Sequence, residues 1–504
     1  MVFQATAAPL RRLTGAEYRN SVQDLFAGVE LPAVEVPADA RQDGYTTVAA
    51  GQAPSALSVE QYQRSAQTLA NVAMAERGTW APCTADSDAC AKETLESLAE
   101  RAYRRPLQAV EREQIATLVA AANAWGGPAA ALVAGLEAIL QSPTFLYRPE
   151  FGAAQPIGAA VALTDYEVAS RLSYFLTATL PDATLLQAAE RGDLSTDSGL
   201  RAQAERLLAD PRARPVMNDF FAQWLRLERL DSLALDPALF PEFDQQLRAD
   251  LKQSVLRFVD YALWEVDSFD FLMSGEMGFV NDRLAPIYGV ASPGGEALTL
   301  IGLDSTQRRG LLTQPGVLTA SSHGTRHSPI LRGVTMLDSI LCSPVPAPPP
   351  GIFDMNEDAD VDSSQICTTR DDVTLSHTSG ATCQGCHKAI DGAGFAFEHY
   401  DALGRYRKEE NGCPIDATAS FAAADLAGDL ADAVTLAPLL SQSRTVQQCF
   451  GQQLFRFALG RKESTNDRCQ IAAVAEELQA GDDSLQRLVV KLVLSPSFRS
   501  RPAS

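Results

Sequence analysis

The sequence predicts a mainly α protein built of several packed helical modules. Three observations carry that expectation. Hydrophobic residues make up 46% and charged residues 21% of the 504-residue chain, the balance of a packed globular protein. Ser or Thr followed three residues later by Glu or Gln stands ahead of several apolar runs, the signature of a helix start. Alternating stretches of the strand type are few.

Along the chain, Thr14-Gly15-Ala16-Glu17 is a capping box that opens an amphipathic run to Phe26. Ser58-Val59-Glu60-Gln61 opens a second run, to Glu76. Thr164-Asp165-Tyr166-Glu167 opens a third, with Val168, Leu172 and Phe175 at near-helical spacing. Residues 93–104, 108–125, 129–141, 198–209, 213–226, 243–265, 445–459 and 484–494 also read as helices. Residues 296–320 are the best place for short strands or irregular extended structure, with Gly310 and Gly316 as turn points. Ser142-Pro143-Thr144-Phe145 and Ser495-Pro496-Ser497-Phe498 echo one another. The echo reads as proline stopping two unrelated helices.

Ser343 to Pro350 is rich in proline and reads as a stiff extended connector. Asp354, Asn356, Asp358, Asp360 and Asp362 then alternate as in a calcium loop. Ala359 stands where the turn glycine belongs, and Gln365 where the bidentate glutamate belongs. A solvated acidic loop is the expectation, with calcium the lesser alternative.

The chain carries 42 basic and 63 acidic residues, a formal charge of −21. That sign repels phosphate backbones and anionic lipid, so nucleic acid is not an expected partner. No run of about 20 apolar residues is present, so no spanning helix is expected. Met1-Val2-Phe3-Gln4-Ala5-Thr6 lacks the basic and apolar regions of a signal peptide. Either the protein stays in the cytoplasm or a presequence is missing from this chain.

The cysteines favour the second alternative. Nine is many for a reducing compartment. Cys383-Gln384-Gly385-Cys386-His387 has the spacing of c-type haem attachment. Two thiols add to the porphyrin vinyl groups, and the adjacent histidine lies beneath the iron. A redox dithiol is the first alternative, but the α/β pattern around such sites is lacking. Half of a zinc site is the second, but no further cysteine pair with zinc spacing follows. Attachment of this kind places the protein in the periplasm or outside the cell. Among the other cysteines, Cys83 and Cys90 flank a short loop, Cys449 and Cys469 bracket a helix and a turn, and two of Cys342, Cys367 and Cys413 are a third candidate pair.

The opposite face of the iron is less legible. No methionine follows His387. The other histidines are His323, His327, His377 and His399. An empty sixth position remains an alternative; an open iron binds peroxide or oxygen, whereas a six-coordinate iron favours electron transfer. Phe395 and Phe397 are candidates to wall a porphyrin, and Arg405 and Arg407 to pair with its propionates through the guanidinium fork. Asp391, Glu398 and Asp401 read as turn-making and local ion-pairing residues rather than acid–base catalysts.

The run Cys383 to Arg407, with Asp391, Gly394, Phe395, Glu398, Asp401, Gly404 and Arg405 in order, resembles the haem-carrying module of the planctomycete-type cytochrome c-like family of exported multidomain proteins. Leu10 to Tyr18, Arg101 to Pro106, Ser142 to Tyr147, Glu167 to Phe175, Asn281 to Gly289, Arg309-Gly310, Arg332-Gly333 and Phe457 to Arg461 resemble motifs of its other modules. The likeness extends over nearly the whole chain. One departure is Gly392, where the family usually has proline, which loosens an expected turn after Asp391. The resemblance implies a secreted, mainly helical protein with one covalent haem c, but no established reaction. His377 matches a histidine of the haem module, which makes it the first candidate for the distal side.

The expected organisation is an N-terminal helical module at 1–78, a second at 79–152, a third at 153–298, a haem-bearing module at 299–415 with the connector 343–350, and a C-terminal helical module at 416–504. The expected function is an exported monohaem redox protein that oxidises an extracellular substrate or passes electrons to a partner protein. The alternatives are a pure electron-transfer cytochrome and a zinc or disulfide scaffold without haem.

Overall fold

The computed structural model describes residues 10–153, 160–345, 367–377, 381–421, 425–426, 428–478 and 483–502. The acidic run 354–362 and most of the proline connector lie outside these residues, as do the side chains of His377, Cys383 and Cys386. The fold is mainly helical, as the capping boxes and periodicity predict. Its strands are two to four residues long and pair two by two, always antiparallel. The chain divides into two compact units: residues 1–216, 455–470 and 490–504 form one, residues 217–454 and 471–489 the other.

In the first unit, Thr14 caps the helix Gly15–Leu25. Its hydroxyl accepts from Glu17 N at 3.2 Å, while Thr14 N donates to Glu17 Oε2 at 2.7 Å. Arg11 pairs with the same buried carboxylate at 2.6 Å. The second helix starts earlier than its sequence suggested. Ser55 is the cap of Ala56–Ala75, and Ser58 is the third helical residue, whose hydroxyl accepts from Ser55 N at 2.7 Å. Thr164 and Glu167 form the expected box on Asp165–Thr177. Tyr18, Tyr62, Leu69, Leu95, Leu136 and Phe145 are buried in one core.

The Ser-Pro-x-Phe echo is structural. Pro143–Leu146 and Pro496–Arg499 are both single helical turns that bury a phenylalanine and run straight into a strand. One strand, Tyr147–Arg148, pairs with Arg11–Arg12; the other, Ser500–Pro502, pairs with Ala160–Ala162. Each apolar helix does stop just before its Ser-Pro, at Leu140 and at Val493, and the proline then starts the next turn.

In the second unit, the helix Gln245–Tyr261 packs on the strand pair Met277–Val280 and Thr299–Gly302. The expectation of extended structure over 296–320 holds only for its beginning. Pro315–Ala320 is a buried helix. Gly316 is not a turn point: a Cβ there would lie 2.5 Å from the Leu251 carbonyl oxygen, so its role is close helix packing. Gly310, with φ +64°, is a true turn.

Among the described residues three disulfides are present: Cys83–Cys90, Cys342–Cys449 and Cys367–Cys413. The first loop closes as its spacing suggested, and two of the three dispersed cysteines do pair. The suggested Cys449–Cys469 pair is corrected. Cys449 faces inward from its helix to meet Cys342, and Cys469 is an exposed free thiol. Among the described residues no helix is long and apolar enough to cross a membrane.

Candidate functional site

The helix Ala381–Gly394 in the second unit carries positions 383, 386 and 387. At helical spacing, i, i+3 and i+4 share one face. The helix is held by close backbone packing. A Cβ on Gly394 would lie 2.0 Å from the Pro329 carbonyl oxygen, and one on Gly392 2.5 Å from that of Ser420. The turn expected after Asp391 is therefore absent: the helix continues through Gly392, which packs where a side chain would collide.

His387 Nδ1 lies 3.2 Å from Asp391 Oδ1, one helical turn further along. Asp391 is buried and His387 half-buried. An ionised carboxylate only accepts, so Nδ1–H donates and the imidazole lone pair lies on Nε2. This is the arrangement by which a second group orients a metal-binding histidine and raises its basicity. The described residues therefore fit the donor chemistry of a haem iron, for which His387 Nε2 would be the available donor atom.

Helix 381–394 leads through the tight turn Phe395–Phe397 to a buried polar cluster. His327 Nε2 lies 3.1 Å from Glu398 Oε2, and both side chains are 1% exposed. Arg407 donates to His327 Nδ1 at 3.0 Å and pairs with Glu410 at 3.1 Å. Glu410 in turn accepts from Thr369 N at 2.7 Å and from its hydroxyl at 2.9 Å. Burial pushes Glu398 up to about 8. Burial, with Arg332 and Arg407 nearby, holds His327 well below its ordinary range.

His327, Glu398 and Glu410 are metal-binding residue types with ligand atoms within 4.8 Å of one another. The Arg407 guanidinium already supplies positive charge between two of them, so the cluster is an ion-pair network. Arg332 closes it from the helix Pro329–Thr335, donating to the carbonyls of Phe397 at 2.8 Å and of Tyr400 and Asp401 at 2.7 Å each.

The other residues singled out by sequence are placed as follows. Phe395 lies under the Arg370 guanidinium, 4.3 Å from ring centroid to Cζ. Phe397 is buried beside Arg332 and Met336, on a small pocket of about 20 Å³. Arg405 pairs with Glu242 and, at 3.5 Å, with Asp401. His399 Nδ1–H donates to the Arg407 carbonyl at 2.9 Å. His323 is exposed. His377 ends the helix Thr369–His377, its side chain outside the described residues.

Five family models match the chain in order. Each is described as a protein of unknown function: DUF1587 at residues 11–75, DUF1595 at 90–150, DUF1592 at 163–290, DUF1588 at 308–410 and DUF1585 at 428–498. These are the planctomycete cytochrome c-type domains. The chain belongs to the planctomycete-type cytochrome c-like family. The DUF1588 match spans the cluster and the Cys-x-x-Cys-His helix of this family member. No curated protein and no solved structure matches the chain.

Sequence reasoning passed over the His327–Glu398–Arg407 cluster. Glu398 reads from sequence as a local ion-pairing residue, yet its partner lies 71 positions upstream. The one signal was a carboxylate set among Phe395, Ala396, Phe397 and Tyr400, an apolar setting that forces burial.

Proposed function

We propose that this protein is an exported monohaem c-type redox protein of the electron-transfer kind. Cys383 and Cys386 attach one haem c through thioether bonds, and His387 is its proximal ligand. The observation that carries the reading is the Asp391–His387 hydrogen bond on the helix of the Cys-x-x-Cys-His motif. A bound haem would supply one-electron chemistry at its iron. The chain's own residues orient the imidazole through Asp391 and pack the helix against Pro329, Gly333 and Ser420. The same proposal keeps Phe395 as a wall residue, Arg405 and Arg407 as propionate partners, and His377 as the distal candidate. It also keeps the five-module division with boundaries at 78, 152, 298 and 415.

Electron transfer is preferred to substrate oxidation for a specific reason. His327 and Glu398, the pair of the type that serves acid–base chemistry, are each 1% exposed. That burial keeps a substrate away from the pair. Three disulfides support an oxidising, extracytoplasmic setting.

The test is an absorption spectrum, oxidised and reduced, of protein matured in an export host with haem-attachment machinery. Haem bands that survive denaturing extraction in the natural chain, and vanish in Cys383→Ala/Cys386→Ala, are expected. Correctly exported protein without covalent haem overturns the reading.

A further inference from the structure

We propose that the Glu398–His327 pair is a buried proton site whose occupancy is linked to the redox state of an iron held by His387, an inference that rests on the haem reading above. If an external one-electron donor reduced an iron held there, one proton from water would bind Glu398 as O–H on Oε1. The module's net charge is then unchanged.

The geometry assigns each proton. A guanidinium only donates, so Arg407, 3.0 Å from His327 Nδ1, meets a lone pair there. The neutral imidazole therefore carries its hydrogen on Nε2 and donates to Glu398 Oε2. Glu398 Oε1 is buried with no hydrogen-bond partner among the described residues. A bare anionic oxygen in such a place is costly, and a proton on it removes most of that cost. His327 is a poor competitor for this proton, because a second N–H would have to form on Nδ1 against the guanidinium.

The surrounding charges work in both directions. Arg332 on the helix Pro329–Thr335, Arg407 before the Glu409–Glu410 strand and Arg370 on the helix Thr369–His377 favour the carboxylate; Glu410 opposes it. Arg326 and Arg332 act with Arg407 against a charged His327. Burial and positive charge thus offset one another and bring the pair into the neutral range, where a small change in field moves a proton.

The position that would hold the iron lies on the helix that leads into Glu398. From position 387 the helix runs seven residues to Gly394, roughly 10 Å along its axis, and Glu398 follows four residues later. A unit change in charge at position 387 would act on Glu398 through protein interior, where screening is weak. Added negative charge at that position would favour the protonated carboxyl of Glu398, and its removal would release the proton.

The experiment is a redox titration of the haem-loaded full chain across the neutral pH range, with an infrared difference spectrum of the same samples. A midpoint potential that falls with rising pH is expected in the natural protein, and a flat one in Glu398→Gln. A protonated-carboxyl band that shifts in heavy water and is absent from Glu398→Gln is expected in the reduced protein. Equal pH profiles in the two proteins, or no such band, overturn the proposal. Should Glu398→Gln fail to fold, His327→Gln keeps the donor to Oε2 but removes the imidazole. A displaced inflection is then expected, and an unmoved one overturns the linkage. Protein that matures without haem refutes the haem reading and the redox linkage together. The carboxyl band in the metal-free chain still reports the proton site by itself.

Discussion

Gly333 lies in backbone contact with Ile390: a Cβ on Gly333 would come within 2.0 Å of the Ile390 carbonyl oxygen. Because that oxygen is helix backbone, it has no rotamer by which to retreat. The contact fixes the helix Ala381–Gly394, and with it His387, against the helix Pro329–Thr335.

Gly333→Ala is therefore expected to destabilise the protein by about 2 kcal/mol, the scale of core overpacking. The loss comes despite roughly 1 kcal/mol of helix propensity in alanine's favour. Gly78→Ala is the matched control. Gly78 also lies in a helix, but a Cβ there meets nothing within 4 Å, so no loss is expected. Denaturant unfolding of the two variants makes the comparison. Equal stabilities would show that the helices separate freely at Gly333.

Asp391→Asn keeps the size of the side chain and removes its charge. Asp391 accepts from His387 Nδ1 and, in the proposed haem site, would make the imidazole a better donor to an oxidised iron. Its neutralisation is expected to raise the midpoint potential of the haem-loaded protein by on the order of 60 mV, one factor of ten in the redox equilibrium. The measurement is a potentiometric titration. An unchanged potential would remove Asp391 from any role at the iron.

The contrast between these two sites shows what a sequence carries. Capping boxes such as Thr14/Glu17 and Thr164/Glu167 are local, three residues wide, and were legible. The Cys-x-x-Cys-His spacing is equally local, which is why the proposed haem site can be named from sequence at all. Ser55 was missed as a cap because Ser58, three residues on, offers the same pattern with Gln61. Gly316 and Gly392 looked like turn residues because glycine serves both turns and close packing. Which use applies depends on Leu251 and Ser420, far away in the chain. The His327–Glu398 pair and the Cys342–Cys449 bond were hidden likewise, joining residues 71 and 107 positions apart.

The disulfides are expected to rank by the length of chain they close. Cys342–Cys449 spans 107 positions and Cys83–Cys90 only 7. Loop-closure entropy gives about 5 kcal/mol for the first and about 2 kcal/mol for the second. Unfolding of Cys342→Ala/Cys449→Ala and of Cys83→Ala/Cys90→Ala, each against the natural chain, measures both. The reverse ranking would mean that strain or residual structure, not chain entropy, sets their worth.

The buried pair also predicts how stability depends on pH, whether or not an iron is bound. Glu398 is pushed up to about 8 by burial, above its unfolded value of 4.5. Between these values the folded chain keeps a proton that the unfolded chain has lost. Its contribution to stability is then complete below pH 4.5 and is lost as pH rises through about 8. His327 is held below its unfolded value of 6.5, so the unfolded chain binds the extra proton. Its contribution is complete above pH 6.5 and is lost as pH falls below that value. The two slopes oppose one another on the acid side and separate above pH 6.5, where only Glu398 still acts. Unfolding free energy is therefore expected to fall from pH 6.5 to 8 in the natural protein and to stay level in Glu398→Gln. His327→Gln should leave that fall in place and remove the opposing slope on the acid side. Denaturant midpoints measured across this range decide it. A natural protein with level stability from pH 6.5 to 8 would mean that Glu398 is already ionised when folded, with Arg332 and Arg407 as its counter-charges.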